Sequence, residues 1–235
     1  MRKKRKVILH RHLEHGKFIR HVIFGAEDGL ISTLGFLSGI AGANLSHFTI
    51  VIAGIAEVFA AAFSMGIGTY LSTKSQTELL KRNIDIEKEE IERTPISEKI
   101  EIEKIYRKKG FVGKELRMIV DKICSNKNLC LREIIVAEHG IVPENFENPF
   151  KAAFVMFFTF FILALIPLLP YLLLPVNYAV SVSTILTVSA LFVVGAAKTQ
   201  LTKKIWWKSG LEMLFFGVVA AFVTYYLGEF IGRFS

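Results

Sequence analysis

The sequence predicts an all-α polytopic membrane protein, with five transmembrane helices and a cytoplasmic helical domain inserted between the second and the third. Three observations lead there. The 235 residues are 52% hydrophobic with a mean hydropathy of +0.44, more apolar than a soluble surface of this size allows. Five stretches, roughly 20–43, 47–70, 150–171, 176–197 and 209–231, have the roughly 20 apolar residues needed to cross a bilayer core about 30 Å thick. Between the second and third, residues 71–149 are dense in Lys and Glu, with Ile, Leu and Val recurring at helical spacing.

Residues 1–19 read as a basic cytoplasmic tail. Arg2, Lys3, Lys4, Arg5, Lys6, Arg11 and Lys17 crowd it, and no cleavable signal peptide is visible, so the first span is expected to be retained. The formal net charge of +8 averages an acidic middle with basic flanks. Basic residues beside spans mark a cytoplasmic face and attraction to anionic lipid rather than to nucleic acid. His10, His12 and His15 in "HRHLEH" are metal-ligand types, but a flexible basic tail describes them better.

Spans one and two (20–70) are joined by "NLSHF", and spans three and four by "PYLLLPVNY"; neither turn contains Lys or Arg. Lys198, Lys203, Lys204 and Lys208 follow span four, beside the interfacial pair Trp206 and Trp207. This places the N-terminus and the inserted domain inside and the C-terminus outside. Within 71–149, "RTPISEK" stops one helix and restarts another, since Pro95 cannot continue the first. "KKGFVGKE" and "EHGIVPENFENP" supply further stops, and spans three to five occupy 150–235. Cys124 and Cys130 in "CSNKNLC" have neither CxxC nor zinc-site spacing and read as two reduced cytoplasmic thiols.

Carboxylates inside the spans are the informative residues. An ionised Asp near a span's centre costs at least a few kcal/mol, so such groups usually face a polar interior and have a function. Spans one and two carry Glu27, Asp28 and Glu57; spans three and four carry none, and Glu212 and Glu229 lie near the ends of span five. Glu27 points about 100° away from Asp28 on a helix; a widened entrance, a pairing with Arg20 or His21, and simple packing all remain open for it. Gly25 with Gly29 and Gly35 with Gly39 allow close helix approach. Ser32 follows Asp28 by one turn. On span two, Glu57, Ala61, Ser64, Met65 and Gly68 share a face. A carboxylate with a thioether on that face suits a transition-metal path better than one for Mg²⁺ or Ca²⁺.

In "NIDIEKEEIERTPISEKIEIEK", Glu87 and Glu90 precede the Pro95 break and Glu98 and Glu101 follow it, each pair at i, i+3. A fold at the break could face one pair with the other, as in carboxylate-bridged metal sites of helix bundles. A solvated helix face is the ordinary meaning of such a Glu and Lys run.

"FGAEDGLISTLGFLSGIAGAN", then "IVIAGIAEVFAAAFSMGIGTYLSTKSQ", then "DIEKEEIERTPISEKIEIEKIYRKKG" resemble the vacuolar iron transporter family, in the form that carries the cytoplasmic Glu-rich domain. The resemblance covers nearly the whole chain. It implies a homodimer that exchanges protons for Fe²⁺ or similar divalent ions such as Mn²⁺, with the first helix lining the path. It carries the pathway residues onto Asp28, Glu57 and Met65, and the cytoplasmic metal-binding glutamates onto Glu87, Glu90, Glu98, Glu101 and Glu138. Two departures stand out. Thr33 occupies the place of a proline found in some members shortly after the aspartate, and Ile134 replaces a methionine one turn before the last glutamate. Glu27 is not transferred from the family pattern.

The expected function is proton-coupled export of Fe²⁺ or Mn²⁺ from the cytosol, by no enzymatic activity and with no resident cofactor, the metal being substrate and domain-bound ion. The alternatives are a membrane-anchored metal buffer or sensor working through the Glu-rich bundle, and an intramembrane hydrolase using Asp28 with Glu57. The Lys, Glu and Ile richness suggests a thermophilic prokaryote and its cell membrane.

Overall fold

Every regular element among the described residues is a helix. The structure is a computed structural model describing the backbone of residues 2–138, 140, 142 and 146–234, and their side chains except those of 2–15, 17 and 201. The tail histidines His10, His12 and His15 therefore lie outside the described side chains. In chain order the helices are α1 (Arg2–Gly42), α2 (His47–Arg93), α3 (Pro95–Lys108), α4 (Gly113–Cys124), α5 (Lys127–Ala137), α6 (Pro149–Leu173), α7 (Val176–Ala197), α8 (Thr199–Thr202) and α9 (Trp206–Gly232).

Among the described residues, four helices are long and apolar enough to cross a membrane: α2, α6, α7 and α9. Helix α1 is not among them; Glu27 and Asp28 stand in the middle of its apolar stretch. The chain divides into two compact units, one of Met1–His10 with Ser72–Glu147, the other of Arg11–Leu71 with Asn148–Ser235.

The larger unit is held by helix packing. Leu37 of α1 joins Ile50, Val58 and Ala62 of α2, Phe160, Ala164, Leu168 and Tyr171 of α6, and Ala179 of α7 in one buried cluster. Glycines let α1 approach its neighbours backbone to backbone. A Cβ on Gly29 would come within 2.7 Å of the Phe160 carbonyl oxygen of α6, and one on Gly228 of α9 would collide with the Gly39 carbonyl of α1. Both glycine pairs of α1 are thus used within the chain, Gly25 and Gly29 against α6, Gly35 and Gly39 against α9. Pro175 has no N–H to offer the Tyr171 carbonyl one turn before it. His47 Nε2 takes that place, donating to the carbonyl at 2.7 Å.

The smaller unit has its own core of Ile91, Ile102, Leu116, Val120, Ile123, Cys130 and Ile134. Its helix ends follow local rules. Pro95 sits in the first turn of α3, where no N–H is needed. Gly110 and Gly113, at φ +95° and +58°, make the turn into α4 in a region other residues avoid. Asn126 caps α5 by accepting from the Asn128 and Leu129 amides at 3.0 and 3.2 Å. Both cysteines are free thiols, Cys130 in the core and Cys124 packed against it. Burial pushes the Cys130 thiol up to about 12.

Candidate functional site

In the larger unit a hydrogen bond between the first two helices ties Glu57 of α2 to α1, which carries Asp28. Asp28 on α1 and Glu57 on α2 are both half-buried, and their charges interact. Thr33, fully buried, donates from Oγ1 to Glu57 Oε2 at 3.1 Å, tying the carboxylate of α2 to α1. Ser32 does not serve the Asp28 carboxylate: its hydroxyl donates to the Asp28 backbone carbonyl at 2.6 Å, the local back-bond common for Ser inside helices.

Of the face predicted on α2, Glu57, Ala61 and Met65 are half-buried, with Ala61 and Met65 against the main core cluster; Ser64 and Gly68 are exposed. Glu27 is half-buried and makes no hydrogen bond or ion pair with another described residue. In the sequence Thr33 stands out only as the residue in place of a proline, with no partner indicated. Its partner lies 24 positions away, and only the packing of α1 on α2 reveals it.

In the smaller unit Glu87, Glu90, Glu101 and Glu138 all lie within reach of the Glu98 charge. Glu87, near the end of α2, and Glu98, on the first turns of α3, are both buried. Glu101 is half-buried, and Glu90 and Glu138 are exposed. Burial pushes the Glu98 carboxyl up to about 7, and the charges of Glu101, Glu87, Glu90 and Glu138 add to the effect. Glu101 is also raised, first by burial, then by the charge of Glu138 and a hydrogen bond with it. The Oε2 atom of Glu98 is buried and takes no hydrogen bond from any described residue. No three His, Cys, Asp or Glu among the described residues stand as a ready-made ligand set. The break at Pro95 therefore gathers the charge without fixing a coordination geometry.

A carboxylate pair between apolar helices and a separate, self-repelling glutamate cluster are two places where a cation can replace protons or relieve repulsion. Residues 19–229 match the model of the VIT family. The chain belongs to the VIT family. This VIT member is 35% identical over 223 residues to a protein of Centaurea cyanus named vacuolar iron transporter, covering 92% of this chain and 90% of the relative. It is 33% identical over 220 residues to vacuolar iron transporter 1 of Arabidopsis thaliana, covering 93% and 88%. It is 30% identical over 234 residues to a vacuolar iron transporter of Plasmodium berghei, covering 94% and 86%. The VIT relatives are named as transporters, a non-enzymatic function, which leaves the hydrolase reading of Asp28 and Glu57 without support. They come from plants and Plasmodium and give a prokaryotic membrane no support either.

Proposed function

We propose that the chain moves Fe²⁺, with Mn²⁺ as a second substrate, out of the cytosol in exchange for protons. The observation that carries this reading is the Thr33–Glu57 hydrogen bond, which ties the carboxylate of α2 to α1, the helix that carries Asp28, in a unit whose other long helices are apolar enough to span a membrane. The names of the relatives support iron as substrate. Packing of α1 on α6 and α9 through glycines supports α1 as a fifth span, with its carboxylates turned to a polar interior. Placement of Lys and Arg supports an internal N-terminus, a cytoplasmic Glu-rich domain and an external C-terminus.

The glutamates of the smaller unit, Glu87, Glu90, Glu98, Glu101 and Glu138, collect hydrated ions by oxygen ligation. Asp28 and Glu57 then accept the partly dehydrated ion. One carboxylate holds either a proton or a metal ion, so loading one displaces the other; this is the simplest basis for coupling. Met65 lies eight residues beyond Glu57, about 12 Å along a helix, and so forms a separate station with a soft sulfur ligand. The working unit is a homodimer.

The test is uptake into vesicles holding the full-length protein, with Fe²⁺, Mn²⁺, Co²⁺ and Zn²⁺ offered in turn and internal pH followed. Metal flux with opposed proton movement is expected. Metal binding without flux would instead make the protein a membrane-anchored buffer or sensor.

A further inference from the structure

The smaller unit holds a cleft of about 670 Å³ between α3 and the end of α5. A divalent ion with six waters, at about 30 Å³ each, needs only about 200 Å³, so the cleft is several times too large for a hydrated ion. Its volume lies in the range of small-molecule pockets. The walls differ in charge. Glu101 and Glu138, whose charges interact, line one part, and Lys104, Lys108, Lys109 and Glu133 line another.

The last two of these are already satisfied. Lys109 pairs with Glu133 at 3.9 Å and lies 4.2 Å above the Tyr106 ring, whose hydroxyl donates to Glu133 at 2.9 Å. Lys104 and Lys108 make no ion pair with any described residue. They stand three and seven positions after Glu101 on α3, about 4.5 and 10 Å further along the axis, on the face that lines the cleft. An acidic end and a basic end therefore share one cavity.

We infer that this cleft binds the divalent metal together with a small polyanionic oxygen chelator, the metal at Glu101 and Glu138 and the free carboxylates of the chelator at Lys104 and Lys108. The inference rests on the proposed metal-binding role of the glutamates and adds the form in which the ion arrives. The charge of Lys104 acts on Glu101, so a bare divalent ion on Glu101 and Glu138 would leave excess positive charge beside Lys104 and Lys108, and a chelator alone would face the negative charge of the two glutamates. Only the pair satisfies both ends.

Equilibrium dialysis of the full-length protein in detergent tests it, with radiolabelled citrate, with and without Mn²⁺, and with Mn²⁺ alone. Citrate retention should rise about tenfold when Mn²⁺ is present and fall by about as much in Lys104→Glu/Lys108→Glu, while that variant still binds Mn²⁺ alone. Both lysines are exposed, and Lys104→Gln/Lys108→Gln, which introduces no new charge, should show a smaller loss in the same direction. Binding of Mn²⁺ with no Mn²⁺-dependent citrate retention, or retention unchanged in both variants, overturns the chelate inference and leaves the glutamate role standing. Failure of the wild type to bind Mn²⁺ at all overturns both.

Discussion

Thr33 shows how much a single hydroxyl decides in the larger unit. It is fully buried, and its hydroxyl donates to the Glu57 carboxylate at 3.1 Å. A buried carboxylate deprived of a donor loses about 1 kcal/mol or more. Thr33→Val keeps the volume and removes the donor, so the metal concentration at half-maximal flux should shift by roughly fivefold with the fold intact by circular dichroism. In the smaller unit, Glu98 gives a pH prediction with a definite sign. Its folded-state value of about 7 lies above its ordinary one, so its proton favours the folded form. That contribution is complete below the ordinary Glu range and is lost as pH rises through about 7. Amide-exchange protection across 95–137, corrected for intrinsic rates, should fall between pH 5 and 8 and recover with Mn²⁺; Glu98→Gln should flatten the profile. Asp28, Glu57 and the Pro95-flanking glutamates were legible because charge in an apolar stretch, or paired at i, i+3, stands out. Thr33, Lys104 and Lys108 were not, because a hydroxyl or a lysine gains meaning only from a partner that tertiary packing supplies.

Among the helices, the apolar stretches were read nearly to their ends: 150–171 against Pro149–Leu173 and 176–197 against Val176–Ala197. Breaks at Pro95 and at the Gly110–Gly113 turn were legible for the same reason, since both have a fixed backbone consequence. Helix α2 runs unbroken from His47 to Arg93 through the change from apolar to charged composition, because no Gly or Pro lies between 69 and 94 to stop it. Composition changed there while helix propensity did not. The four-residue α8 is too short to show periodicity. Close helix approach gives a paired prediction. Gly29→Ala sets a Cβ 2.7 Å from the backbone oxygen of Phe160, which cannot move aside as a side chain would, and should lower thermal stability by about 1–3 kcal/mol. Gly68→Ala, with nothing within 4 Å, should stay within about 0.5 kcal/mol of wild type or gain slightly. Thermal unfolding in detergent, followed by tryptophan fluorescence, distinguishes the two.

For the whole molecule, the division into an apolar and a charged unit follows the composition: the first carries few carboxylates, Asp28 and Glu57 among them, and the second carries most of them. The glycine pairs of α1, which in the sequence could equally have served a subunit contact, are occupied inside the chain. A homodimer must then use other surfaces, and light scattering in detergent should give twice the 26.5 kDa chain mass after subtraction of the micelle. The measurement closest to the centre of the proposal compares wild type with Asp28→Ala in vesicles, following Fe²⁺ entry and internal pH together. Loss of both metal flux and metal-driven proton movement, with Mn²⁺ binding by the glutamate cluster retained, is the expected result. Unchanged coupled flux in Asp28→Ala would contradict the assignment of the pathway to the α1 and α2 carboxylates.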